Sequence, residues 1–248
     1  MSAFQEPHTP QPQQELSNTD PLDSFGTNIF PAEDTPKAAR LLATLLAVIG
    51  WFAFAAQTDI TVNRLLVNGH GILDGLERLS SYLTNLTMLM GALCFTSLAL
   101  RLDTPISRFF RQASVVSAVV AYLAFVGIAY NLLLRQLWQP TGFRALVNES
   151  LHTIIPLLAM VYWIFFVPVF KTSLKKSMLW LIYPLGYLFI TLWRGSMSGF
   201  YPYPFINVNT LGYPRVLLNS SLLFAGFIGL MALFITINHA GKPAFLRR

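Results

Sequence analysis

A chain of 248 residues has room for one helical bundle or for one to two soluble domains, and its composition excludes the soluble option. Hydrophobic residues make up 54% and charged residues 11%, where a soluble domain carries about 25% charged residues. Six of the eleven acids precede residue 37 and none follows Glu149, so the C-terminal part cannot build a water-facing surface. The formal net charge of +6 is no nucleic-acid signal, because Lys and Arg stand in small groups at the ends of apolar runs. The single cysteine, Cys94, excludes an intrachain disulfide and a cysteine-based zinc cluster.

In chain order, residues 1–37 read as a disordered acidic tail rich in Pro and Gln. The tail lacks the basic start of a signal peptide, and the first apolar run is too long for one. Six stretches are apolar over roughly the 20 residues needed to cross hydrocarbon: 38–57, 80–100, 113–134, 149–170, 178–193 (which is short) and 216–237. In lipid the backbone finds no water, so each run is expected to be helical. The expected fold class is all-α: a polytopic bundle of about six transmembrane helices over 38–240, followed by a basic tail at 241–248. Under that arrangement eleven Lys and Arg fall on the side of the termini and six on the other, which places both termini in the cytoplasm. The outer loops are then 58–79, with Asn68-Gly69-His70-Gly71, and 194–215. No internal repeat and no broken-helix pair of the transporter kind is visible.

Polar groups at membrane depth carry the functional expectations. The second run opens Tyr82-Leu83-Thr84-Asn85-Leu86-Thr87, and the fourth opens Asn148-Glu149-Ser150-Leu151-His152-Thr153. Both runs begin outside, so Thr84 and His152 are expected at matching depth, about 5–6 Å below the outer boundary. A hydroxyl beside an imidazole is the minimum for nucleophilic catalysis. Each residue also has a plainer role. His152 can bond a neighbouring helix or ligate a metal or haem, although a second axial histidine is hard to find. Thr84 can serve packing. Thr87 shares its helix face, and Asn85 also needs a partner. Glu149 can orient the imidazole or simply favour a helix N-terminus. Segment 194–208, from Arg194 through Tyr201, Tyr203 and Phe205, reads equally as a lid or as an interfacial aromatic belt.

The combination of Tyr82-Leu83-Thr84-Asn85, Asn148 with His152, Thr153 and Pro156, and Trp193-Arg194-Gly195 followed by Tyr201-Pro202-Tyr203-Pro204-Phe205 resembles bacterial six-span membrane proteins of unknown function. It is more distantly similar to the androgen-induced-gene family of membrane hydrolases, which cleave fatty acid esters of hydroxy fatty acids. The resemblance covers about residues 40–240. It implies Thr84 as nucleophile and His152 as base, with Asn85, Thr87, Asn148, Trp193, Arg194, Tyr201, Tyr203 and Phe205 on the substrate side. Glu149 stands where that family has a second histidine, and Thr87 where it has an acid. No cofactor, metal or nucleic acid is implied. The expected partners are membrane lipids and a lipid ester or other amphipathic small molecule. The alternative is a non-enzymatic membrane protein that binds or transports a small amphipathic ligand.

Overall fold

The computed structural model describes residues 36–240. The expected tail, apart from its last two residues, and the basic 241–248 stretch lie outside the described residues. Among the described residues every regular element is helical: α1 (Lys37–Val67), α2 (Ile72–Ser80), α3 (Leu83–Leu100), α4 (Pro105–Phe110), α5 (Ala113–Ala129), α6 (Phe143–Glu149), α7 (Ile155–Phe166), α8 (Leu174–Ser177), α9 (Ile182–Ser198) and α10 (Val208–Ala240). A π-helical turn, Tyr130–Leu134, extends α5, and a second, Ser150–Ile154, joins α6 to α7. Five segments are long and apolar enough to cross a membrane: Lys37–Val67, Leu83–Leu100, Ala113–Leu134, Phe143–Phe166 and Val208–Ala240. This is consistent with an integral membrane protein. Large apolar side chains such as Leu41, Val48, Leu157, Phe189 and Leu222 face outward, as a lipid-facing bundle requires.

Close packing follows from small side chains. Ala39, Ala43, Ala47, Gly50 and Ala53 recur every three to four residues along α1, and all are buried. A Cβ on Gly50 would sit 3.4 Å from that of Ala92, so α1 and α3 meet nearly backbone to backbone. Central α5 packs against α3, α7 and α10. Trp163 donates to the Ser117 hydroxyl (2.8 Å) and Tyr122 to the Trp180 carbonyl (2.7 Å). Beyond α7 the chain leaves helical geometry, and the Asn238 amide meets both the N–H (3.2 Å) and the C=O (2.8 Å) of Phe170. That pair satisfies backbone groups the helix no longer serves.

The element ends depart from the expected runs for local reasons. The 58–79 segment is largely helical. α1 continues to Val67, about 47 Å in all, then turns through Asn68–Gly71 and packs back as α2. Gly75 permits that return, since a Cβ there would lie 2.9 Å from the Val62 side chain. The fourth apolar helix starts at Phe143, after Gly142 (φ 59°), so His152 lies nine residues in rather than near the start. The short fifth run appears as a 3-10 turn, Met178–Leu181, and then the 17-residue α9. α10 bends at Gly212 (φ 70°) and Pro214, close to the expected start of the last run.

α5 also crosses the α6–α7 π-turn at close range. A Cβ on Gly127 would lie 2.9 Å from the His152 carbonyl oxygen and 3.2 Å from Pro156 Cβ. Gly127→Ala should therefore lower the thermal unfolding midpoint of the purified protein in detergent, by the equivalent of about 1–3 kcal/mol. Gly226, with nothing within 4 Å of a built Cβ, should accept Ala without loss. Equal midpoints for the two variants would refute this packing.

Candidate functional site

The site begins with a proline. Pro156 lacks an N–H, so the carbonyl of His152, four residues earlier, has no α-helical donor. The helix answers with a π-turn in which the Ile155 N–H reaches the Ser150 carbonyl. The freed His152 carbonyl turns toward α5 and accepts from the Asn131 amide (3.2 Å), which also donates to the Gly127 carbonyl (2.8 Å). Asn131 lies in the π-turn that ends α5, where the Arg135 N–H reaches the Tyr130 carbonyl (2.9 Å). Two π-turns thus face each other on neighbouring helices.

The His152 ring is fixed from two sides. It stacks on Tyr130, with centroids 3.8 Å apart and planes 17° apart. Its Nδ1 lies 2.9 Å from the Asn148 carbonyl oxygen. A carbonyl only accepts, so Nδ1 carries a proton and the neutral ring has its lone pair on Nε2. The Asn148 amide donates to the Tyr130 hydroxyl (2.7 Å), which locks the same stack. Glu149 does not orient the ring. Its carboxylate takes Arg135 (2.8 Å) and the Thr153 hydroxyl (2.8 Å). The Arg135 guanidinium beside it holds the Glu149–Thr153 edge of the helix, and its Nε bonds Asn131 (2.7 Å).

Thr84 is the second residue of α3, and it is buried. The first N–H groups of a helix have no partner within it, and no side chain caps this end. The Tyr203 phenol stands beside this end, in the wall of the same cavity as Thr84. Desolvation raises the Tyr203 pKa above its ordinary value, against the lowering effect of the nearby Thr84 and Leu83 groups, so the phenol stays protonated at neutral pH.

Thr84 and His152 open onto one cavity of about 350 Å³, together with Asn85, Asn148, Tyr130 and Tyr203. Gln57, Arg64 and Arg144 add polar and cationic groups, and among the described residues no Asp or Glu lines it. Thr84, Tyr130 and Tyr203 also line an adjoining apolar chamber of about 80 Å³ that contains Phe205. Tyr203 and Phe205 stack with centroids 5.2 Å apart. The 194–208 segment therefore folds over the α3 N-terminus, with Pro202, Tyr203 and Pro204 in the cavity wall.

Of the remaining expected residues, Thr87, Trp193, Arg194 and Tyr201 lie elsewhere. Thr87 is fully buried and bonds the Tyr183 hydroxyl (2.8 Å), tying α3 to α9. Trp193 is 57% exposed. Arg194 pairs with the Glu77 carboxylate (2.9 Å) and faces a separate small pocket with Ser80 and Thr191. Tyr201 packs flat against Gly195, where even a Cβ would strike its ring. Asn85 lines the cavity, but its amide is engaged by the Leu79 carbonyl (2.9 Å). Tyr130 and Asn131 go unnoticed in the sequence reading, although they form a polar pair ending the third apolar run. Among the described residues no cluster of three His, Cys, Asp or Glu is placed to hold a metal ion.

The ring geometry fixes a tautomer. In protein labelled with ¹⁵N-histidine, the neutral His152 ring should give a protonated Nδ1 resonance and an unprotonated Nε2 resonance, and Tyr130→Phe should leave that assignment unchanged. A proton on Nε2 with a bare Nδ1 would contradict the bond to the Asn148 carbonyl. Protein-family models, curated protein sequences and solved structures all give no match to this chain.

Proposed function

We propose that this chain is a six-pass protein of the cell membrane, with both termini cytoplasmic, that hydrolyses the ester bond of an amphipathic lipid at Thr84 and His152. One observation carries the reading: a threonine hydroxyl and an imidazole whose Nδ1 is held by the Asn148 carbonyl line the same cavity. The sixth crossing is 178–198, a 3-10 turn continued by α9. The eleven-to-six excess of Lys and Arg supports the orientation.

In this mechanism Nε2 of His152 takes the Thr84 proton as Thr84 Oγ attacks the ester carbonyl carbon. The carbonyl π-electrons move to oxygen, and the Tyr203 O–H offers a donor for that charge. The tetrahedral species collapses, the C–O bond to the alcohol breaks, and the imidazolium protonates the departing alkoxide. Water, deprotonated by the same Nε2, then cleaves the acyl-threonine and releases the acid. The apolar chamber beside Thr84 suits the acyl chain, and Arg64 and Arg144 suit a polar or anionic end.

A second reading is favoured by the cavity lining. A cavity lined by two arginines and several amides can hold a head group without bond chemistry. The chain then binds or transports an amphipathic ligand.

Purified protein supplied with medium- and long-chain esters separates the readings. Hydrolysis should fall at least about 100-fold in Thr84→Ala and in His152→Ala, and Thr84→Ser should retain part of it. Tyr203→Phe should lower kcat by about tenfold or more through loss of a donor. Equal turnover by all variants would remove the catalytic pair, and no turnover by the parent protein together with saturable ligand binding would establish the second reading.

A further inference from the structure

A larger cavity lies at the other end of α5. Its lining includes Gln112 and Ser114, which open that helix, whereas Tyr130 closes it about 24 Å away. The volume is about 550 Å³, within the range of roughly 300–1,000 Å³ that holds small-molecule ligands. The rings of Tyr122 and Tyr183, 4.8 Å apart, close its inner end. Tyr122 stacks on Phe227, and Phe227 lines the apolar chamber beside Thr84, so an aromatic wall divides the two sites.

This cavity is two-sided. Phe109, Val115, Ala118, Leu179 and Trp180 make most of its wall apolar, and Phe109 and Leu179 are about half exposed at the bundle surface. Lys171 and Lys176 stand at its rim, and among the described residues no Asp or Glu lines it. The whole chain has no carboxylate side chain beyond Glu149. Lys171 lies in the connection that follows α7 and Lys176 on α8, and the path of the chain into α8 is held by the Asn238 amide on Phe170 and by the His239 Nε2 beside the Thr172 carbonyl (3.1 Å). The two ammonium groups are thus carried on a fixed segment above an acyl-sized apolar slot.

We infer that this cavity is a binding site for a membrane phospholipid with a net negative head group, its phosphate at Lys171 and Lys176 and one acyl chain between α3, α5 and α9. Charge complementarity selects the occupant, since a basic pocket between membrane helices favours anionic head groups. The apolar slot requires a chain as well as a charge. The site is separate from Thr84 and His152, and it stands whether or not that pair is catalytic.

The test uses the purified full chain, delipidated in detergent and titrated with phosphatidylglycerol or phosphatidylcholine, with retained lipid read by native mass spectrometry. Phosphatidylglycerol should be retained in preference to phosphatidylcholine. Lys171→Gln and Lys176→Gln should each lower that retention about fivefold. Ala118→Phe, which fills the slot, should lower it too. Lys175→Gln is the control, because Lys175 is exposed in the same run but does not line the cavity. Equal retention of the two lipids overturns the site, as does an effect of Lys175→Gln matching the rim variants. Displacement by soluble glycerol phosphate alone overturns the acyl slot, leaving a simple phosphate contact.

Discussion

A carbonyl group without a donor is the fact around which this bundle is arranged. Inside a membrane no water is at hand to satisfy it, and leaving it bare costs several kcal/mol. Pro156 creates that carbonyl at His152, and the neighbouring helix supplies the remedy. Gly127 lets the two backbones approach, and Asn131 reaches across to donate. The same accommodation turns the His152 ring onto Tyr130, where Asn148 grips it twice, once through its carbonyl and once through its amide by way of the tyrosine hydroxyl. The imidazole is therefore positioned by backbone bookkeeping in the helix pair, and its free nitrogen follows from that.

The opposite wall of the cavity rests on a complementary backbone problem. The first N–H groups of α3 have no side-chain cap, and the 194–208 segment comes down beside them, with Tyr203 packed on Tyr82 and in the cavity wall. A donor-poor helix kink and an acceptor-poor helix start thus border one space, about 350 Å³ in volume, with Thr84 on one side and His152 on the other. Both walls leave polar groups oriented before any ligand arrives, and such preorganisation is what transition-state stabilisation and head-group binding alike require.

The parts legible in the sequence are those that hydrophobicity controls. Runs of apolar residues locate the long helices, because spanning lipid demands them, and Thr84 falls at the start of α3 as the second run suggests. What escaped has a three-dimensional cause. Gly142 and the helix-forming 143–148 stretch start the fourth helix early, so His152 sits deeper along it than polarity suggests. Glu149 stands beside His152 in sequence, yet Arg135 claims its carboxylate from another helix. Arg194 likewise goes to Glu77, more than a hundred residues away, and Thr87 goes to Tyr183 on α9. The two π-turns have no pattern in a single sequence beyond Pro156 itself, and the pairing of Asn131 with the His152 carbonyl needs both.

The central claim is that the Thr84 hydroxyl is the group the site activates. It is tested most directly by trapping: the purified protein is incubated with an acyl β-lactone, a reagent that acylates an activated hydroxyl, and the modified residue is located by peptide mass spectrometry. The account predicts one acyl adduct on the peptide carrying Thr84, absent from the His152→Ala protein. An adduct on another residue, or an equal yield at Thr84 without the imidazole, would contradict it.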